Sequence, residues 1–355
     1  MTPDLVWIVG AALERRLEDV EKGRQYLKER SARYWCDEEY DGVVEHPMTA
    51  PMLIVAGWND DIFYANEGLM AISSMMDAPA RMIITNHGHI GGMGKNFFID
   101  LPGGPEYDWV EDQVSMWFDH YLKDADNGVE DEPLVSYYRD GDPGDYGEAD
   151  TYPLPGTSPT SLYLDASSGG KLSASPPGNA GSHDLLVNIG ITGSISLPYY
   201  QDVTEMFGWE KMDIPSKLEL FEIPWTERSY LSDPLSEDMT IMGPPTIELY
   251  YQCSQCFTQF IPWVYEVAPD GTETLISRGW YEGYNQTPWA MSSTGQAVEM
   301  QACYHRFEKG SRIKLELATA DLLMTWPVWG FSLILLHHRE GAASRLILPV
   351  IPDDT

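Results

Sequence analysis

Two apolar runs that each end in a polar turn constrain this chain most. Pro51-Met52-Leu53-Ile54-Val55-Ala56-Gly57 leads straight into Trp58-Asn59-Asp60. Arg81-Met82-Ile83-Ile84-Thr85-Asn86 leads into His87-Gly88-His89. Both runs are apolar on both faces, as strands covered on two sides are. Between them, Tyr64 to Met76 reads as a helix. After them, Tyr107 to Lys123 reads as an amphipathic helix with Val110, Val114, Trp117, Phe118 and Leu122 as its apolar stripe. Strand–helix–strand–helix order implies parallel pairing in an α/β sheet. Two such strands do not make a stable sheet alone. The partners are expected from a preceding part of a longer chain or from a second polypeptide.

An acid and a histidine at the C-terminal tips of neighbouring strands are two members of a Ser-His-Asp system. There the carboxylate orients the imidazole and stabilises its charged form, and the imidazole moves the proton of the nucleophile. α/β-Hydrolases place serine, acid and histidine in that chain order, on loops at strand ends. Asp60 and His89 fit the last two positions. Asp61 competes with Asp60 but lies one residue further from the strand tip, and His87 competes with His89. The plainer reading makes Asp60 or Asp61 a helix cap and His89 a turn residue. No Gly-x-Ser-x-Gly occurs. Gly330-Phe331-Ser332 comes nearest and reads as part of a core strand.

Composition narrows the function classes. With 55 acidic residues against 22 basic ones, the net charge is −33. Phosphate binding needs clustered Lys and Arg, so nucleic acid is not an expected partner, nor is an anionic membrane. The longest apolar run, Trp326 to Leu336, is too short to span a bilayer. Leu5 to Leu13 lacks a basic leader and reads as part of a helix over residues 4–30. These readings favour the cytoplasm without fixing the compartment. Of the four cysteines, Cys253 and Cys256 form a CxxC in a strand-like run, without the further Cys or His that a zinc site requires. They and Cys36 and Cys303 read as small hydrophobes, and no metal or cofactor is expected.

Beyond residue 130 the texture changes. Residues 131–160, rich in Asp, Pro and Gly, read as a linker. Residues 161–352 show short alternating segments, among them Leu162–Leu164, Thr246–Tyr250, Ile261–Val267, Arg312–Leu317 and Phe331–Leu336, separated by turns. That pattern predicts a β-sandwich or jelly roll.

Several motifs together resemble one hydrolase family, that of cocaine esterase, X-prolyl dipeptidyl peptidases, glutaryl acylases and α-amino acid ester hydrolases. Gly57-Trp58-Asn59-Asp60 is similar to its Gly-Trp-x-Asp acid motif. Arg81 to His89 is similar to its histidine-bearing run, with His87 where the family has Trp and Thr85-Asn86 in place of Gly-Pro. Trp117-Phe118-Asp119 with Tyr121-Leu122, Tyr230 to Leu235, Ile241-Met242-Gly243 and Tyr26 to Ser31 resemble further signatures. The resemblance implies part of a helical cap over 1–50, the C-terminal part of an α/β-hydrolase domain over 51–130 and a C-terminal jelly roll. It implies Asp60 and His89 as catalytic residues, with the serine elbow and oxyanion hole absent. Family members specific for α-amino esters carry carboxylates just after the acid motif; Ile62 and Phe63 stand there. The implied reaction is hydrolysis of an ester or peptide bond. The implied partners are a small ester or peptide and the missing hydrolase half, or a second copy of the chain. A non-catalytic binding module, with Trp280-Tyr281 and Tyr284 or Trp326 and Trp329 as a sugar platform, is the alternative. One subunit of a two-chain hydrolase is the third reading.

Overall fold

In the computed structural model, residues 22, 25, 48–60, 63–75, 77–88, 105–139, 145–166, 169–178, 183–192, 194–196, 217–219, 223–284, 287–290, 295–321 and 330–352 are described. The expected helix over 4–30 (Lys22 and Gln25 excepted), Tyr26–Ser31, Cys36, Asp61, Ile62, His89, Trp326 and Trp329 lie outside these residues.

The two apolar runs are strands β1, Met52–Gly57, and β2, Ala80–Thr85. They pair in parallel, from Met52 opposite Ala80 to Gly57 opposite Thr85. The crossover between them holds helix α1, Ala65–Met70, continued by a π turn over Ala71–Met75. Helix α2 spans Pro105–Lys123. The two helices cover opposite faces of the sheet. Gly68 of α1 approaches Ile54 and Met82, whereas Gln113 of α2 accepts a hydrogen bond from Arg81. Arg81 and Met82 are consecutive in a strand and so point to opposite sides. On α2, Trp117 is buried, but Phe118 and Leu122 of the expected apolar stripe are exposed.

The stretch 131–160 is more than a linker. A 3₁₀ turn, Val129–Asp131, leads into β3, Val135–Tyr138, which pairs in parallel with β2. Strand β4, Tyr146–Ala149, then pairs antiparallel with β3. The sheet has four strands in the order β1-β2-β3-β4. The acidic, Pro-rich surroundings hid these short strands. Their Val135, Tyr137 and Tyr138 are buried, yet no long apolar run announces them. Arg81, also buried, is held between Gln113 and Glu132.

The rest of the described chain is almost entirely β. A long sheet runs in the order 273–278, 257–267, 312–318, 227–231, 171–173, 158–165, 345–351, 239–243 and 303–307, with 246–249 and 296–299 attached. A smaller sheet contains 251–253, 332–339 and 183–188. One core binds the two: Leu164, Phe260, Leu315 and Leu346 of the long sheet pack with Leu186, Tyr251, Ile334 and Leu336 of the smaller one. Ser332, of the nearest serine motif, is buried in a strand. The CxxC straddles a turn between two strands rather than lying within one: Cys253 ends the first and is buried, while Cys256 sits in the turn, half-buried.

A second apolar cluster joins the small sheet to the β-rich portion. Trp58, Met82, Ile84, Val135 and Tyr137 pack with Met242, Ala302 and Ile351. No helix of the described residues is long and apolar enough to cross a membrane.

Candidate functional site

Parallel register puts the outgoing turns of β1 and β2 at one edge of the sheet. They are laced together by backbone. Trp58 N–H donates to Thr85 O (2.9 Å) and Asn59 N–H to His87 O (3.3 Å). The Asn59 amide adds bonds to Asn86 O (2.8 Å) and Asn86 Oδ1 (3.1 Å). Gly57 permits this approach: a Cβ there would lie 1.8 Å from the His87 carbonyl oxygen. Trp58 turns inward, buried, and its Nε1–H donates to Tyr138 O at 2.9 Å. One ring thereby ties the acid turn to β3.

Asp60 is buried, with 8% of its surface exposed. Its Oδ1 accepts the Phe63 N–H at 2.8 Å, closing a three-residue turn. That bond is not a helix cap, because α1 begins only at Ala65 and its N-cap, Tyr64, makes no side-chain cap bond. The described chain leaves β2 through Asn86, His87 and Gly88 at the same edge. His87 is half-buried, with its carbonyl engaged by Asn59. His89, the other expected site residue, lies just beyond, outside the described residues.

Contacts that tie residues 299–302 to the acid turn and to α1 were invisible in the sequence. Buried Gln301 donates from Nε2 to Trp58 O (2.8 Å) and to Asp60 O (3.2 Å). Buried Asn66 donates from Nδ2 to Glu299 Oε1 and Met300 O, both at 2.8 Å, and accepts the Ala302 N–H at 2.7 Å. The partners are 241 residues apart in the Asp60–Gln301 pair, so no local pattern announces them.

Aromatic side chains flank the turn. Phe63 is exposed, and Tyr64 meets Trp280 edge-on with ring centroids 5.2 Å apart. Trp280 is exposed, but Tyr281 turns into the core and stacks on Phe260. Trp280, just before the strand Tyr281–Tyr284, thus packs on Tyr64, and Tyr281 packs in the core. No group of three or more His, Cys, Asp or Glu suited to a metal occurs among the described residues.

Comparison with known proteins places the chain. Residues 127–330 match the family described as the X-Pro dipeptidyl-peptidase C-terminal non-catalytic domain. A Mycobacterium bovis protein named as a serine esterase is 22% identical over 357 aligned positions, covering 90% of this chain and 52% of that protein. A Mycobacterium tuberculosis protein of the same description matches equally. The chain thus spans about half the length of the curated relatives it matches. Among solved structures, an aminopeptidase from a marine sediment Thaumarchaeota archaeon superposes with a TM-score of 0.65 at 16% identity, covering 92% of this chain and 60% of that one. An α-amino acid ester hydrolase gives 0.62 at 17% identity, covering 92% and 57%. A CocE/NonD family hydrolase from Staphylococcus aureus gives 0.61 at 12% identity, covering 85% and 55%. At these identities the likeness is one of fold.

Proposed function

We infer that this chain, which belongs to the X-Pro dipeptidyl-peptidase C-terminal non-catalytic domain family, supplies the acid and histidine of a serine hydrolase whose nucleophile lies on another polypeptide segment. In this reading residues 51–130 are the C-terminal part of an α/β-hydrolase domain and 161–352 a jelly roll. The observation that carries it is the pairing of β1 with β2, which brings the Asp60 turn and the turn leading toward His89 to one sheet edge. That is where α/β-hydrolases keep these groups.

The chemistry is acyl transfer to water from an ester, or from an amide after a dipeptide. Asp60 accepts a hydrogen bond from the His89 ring, fixes its tautomer and stabilises its charged form. His89 takes the proton of the serine as that oxygen attacks the carbonyl, then delivers it to the leaving group. The serine and the oxyanion-hole donors come from the complementary half. Its docking edge is β1: Met52 to Ala56 are all partly exposed, unlike the fully buried Arg81 to Thr85 of β2. Among the described residues no strand pairs with the outer side of β1. An apolar edge half-exposed in this way suits a further parallel strand.

The 355-residue chain alone is expected to leave p-nitrophenyl esters intact. Co-expressed with a complementary serine-bearing hydrolase half, it should hydrolyse them, and His89→Ala should abolish that. Turnover by the isolated chain, lost on His89→Ala, contradicts the reading. A second reading, a non-catalytic binding or assembly module, is favoured by the description of the family matched over 127–330. Glycan binding indifferent to Asp60→Ala would support it.

A further inference from the structure

The acid turn and the helix α1 that follows it are both held by one short segment of the β-rich portion, Glu299 to Ala302. Gln301 grips the carbonyls of Trp58 and Asp60, and six residues later Asn66 is bonded to Glu299, Met300 and Ala302. The segment is itself fixed. Met300 N–H donates to Pro245 O and Gln301 N–H to Arg278 O, each at 2.8 Å. Ser277 Oγ–H donates to Gln301 O at 2.6 Å. All three of those partners belong to the β-rich portion. The Asn66 amide therefore uses its oxygen and both of its N–H bonds on this segment, and the Gln301 amide spends its donors on the turn itself. Buried amides satisfied this fully hold one geometry, because any shift leaves a polar group unpaired in a dry place.

We propose that Gln301 is a positioning residue for Asp60: the β-rich portion sets the direction of the acid's carboxylate through the two carbonyls that Gln301 holds. This rests on the reading of Asp60 as the acid partner of His89. The two carbonyls flank the Asn59–Asp60 peptide, so their position determines where the Asp60 Cα–Cβ bond points. A carboxylate that orients an imidazole tolerates little angular error. The contact differs from simple interdomain packing, which the apolar cluster around Ile351 already provides.

The test uses the full 355-residue chain, with histidine ring nitrogens labelled and His89 assigned by loss of its signal in His89→Gln. Removing the carboxylate in Asp60→Asn should lower the His89 pKa by about 1 unit, the loss of a nearby opposite charge. Gln301→Met, close in size but without a donor, should reproduce at least half of that drop. Ile351→Val, in the same interface, should leave His89 unchanged although it destabilises the fold. If Gln301→Met does not fold, Gln301→Asn withdraws the amide by one methylene and should give the same drop. An Asp60→Asn drop with no effect of either Gln301 variant overturns the positioning role and leaves the acid reading intact. No Asp60→Asn drop overturns both.

Discussion

Replacing Gly57 with Ala should destabilise the chain, against the ordinary trend. At an unconstrained strand position, Gly→Ala gains about 0.5–1 kcal/mol because the unfolded chain loses freedom. At Gly57 the added Cβ would stand 1.8 Å from His87 O and 2.8 Å from His87 C, both backbone atoms that no rotamer change can move. Real Cβ atoms essentially never approach closer than 3.0 Å, so the two strand tips must part by the 1.2 Å between 1.8 and 3.0. That parting stretches the Trp58–Thr85 bond from 2.9 Å and the Asn59–His87 bond from 3.3 Å beyond useful range. Two backbone hydrogen bonds at roughly 1 kcal/mol each, with an overpacking cost of about 1–3 kcal/mol, give a net loss of about 3 kcal/mol. Amide exchange measures it directly: the Trp58 N–H should exchange about 100-fold faster, since 1.4 kcal/mol is tenfold. Gly178→Ala, whose Cβ would meet nothing within 4 Å, is the control. Exchange at Trp58 unchanged or slowed in Gly57→Ala would refute the close approach and with it the lacing of the two turns.

Three further outcomes follow from the packing and the charges. Asp60→Ala removes the acceptor for the Phe63 N–H and should cost about 1 kcal/mol in urea unfolding, the net worth of one hydrogen bond; a larger loss, near that of a core deletion, would contradict a turn-closing role. Ile351→Ala opens a cavity in the cluster shared by the small sheet and the β-rich portion. It should cost about 2–4 kcal/mol and lower the melting of both parts together, as read by exchange in β2 and in 312–318. Asp184 provides the pH test. Burial pushes its carboxyl up, but hydrogen bonds from His338 and Tyr230 and the charge of Arg228 outweigh that and hold it below the ordinary 3.8. Its contribution is therefore present above the unfolded pKa and lost as pH falls through the lower folded value. Asp184→Asn should be less stable by on the order of 3 kcal/mol at pH 7. The gap from the unsubstituted chain should narrow as the pH falls below the ordinary carboxyl value of 3.8 and through the lower folded value; a gap independent of pH would exclude it.

Much of this architecture was legible because it is local. Continuous apolar runs with no polar face announce covered strands, and β1 and β2 lie where those runs lie. Alternation with turn residues announced the strands at 158–165, 257–267, 312–318 and 332–339. Strands β3 and β4 escaped because they are four residues each, set among acids and prolines, and owe what burial they have to β2 and the β-rich portion rather than to their own pattern. The exposure of Phe118 and Leu122 escaped for the converse reason: periodicity marks an apolar stripe but not what covers it.

At the site, chain order alone put Asp60 at the tip of an apolar strand, and Gly57 stood in the motif as a residue type. Only the folded molecule shows that Gly57 is needed for a carbonyl 30 residues away, that the Asp60 carboxylate closes its own turn rather than capping a helix, and that Gln301 holds that turn while Asn66 ties the following helix to the same segment. The division has a physical cause. Strand character comes from side chains a few residues apart, so the sequence by itself determined the two strands and their polar tips. A hydrogen bond across 241 residues depends on the relative placement of two packed units, and only the tertiary structure decides that.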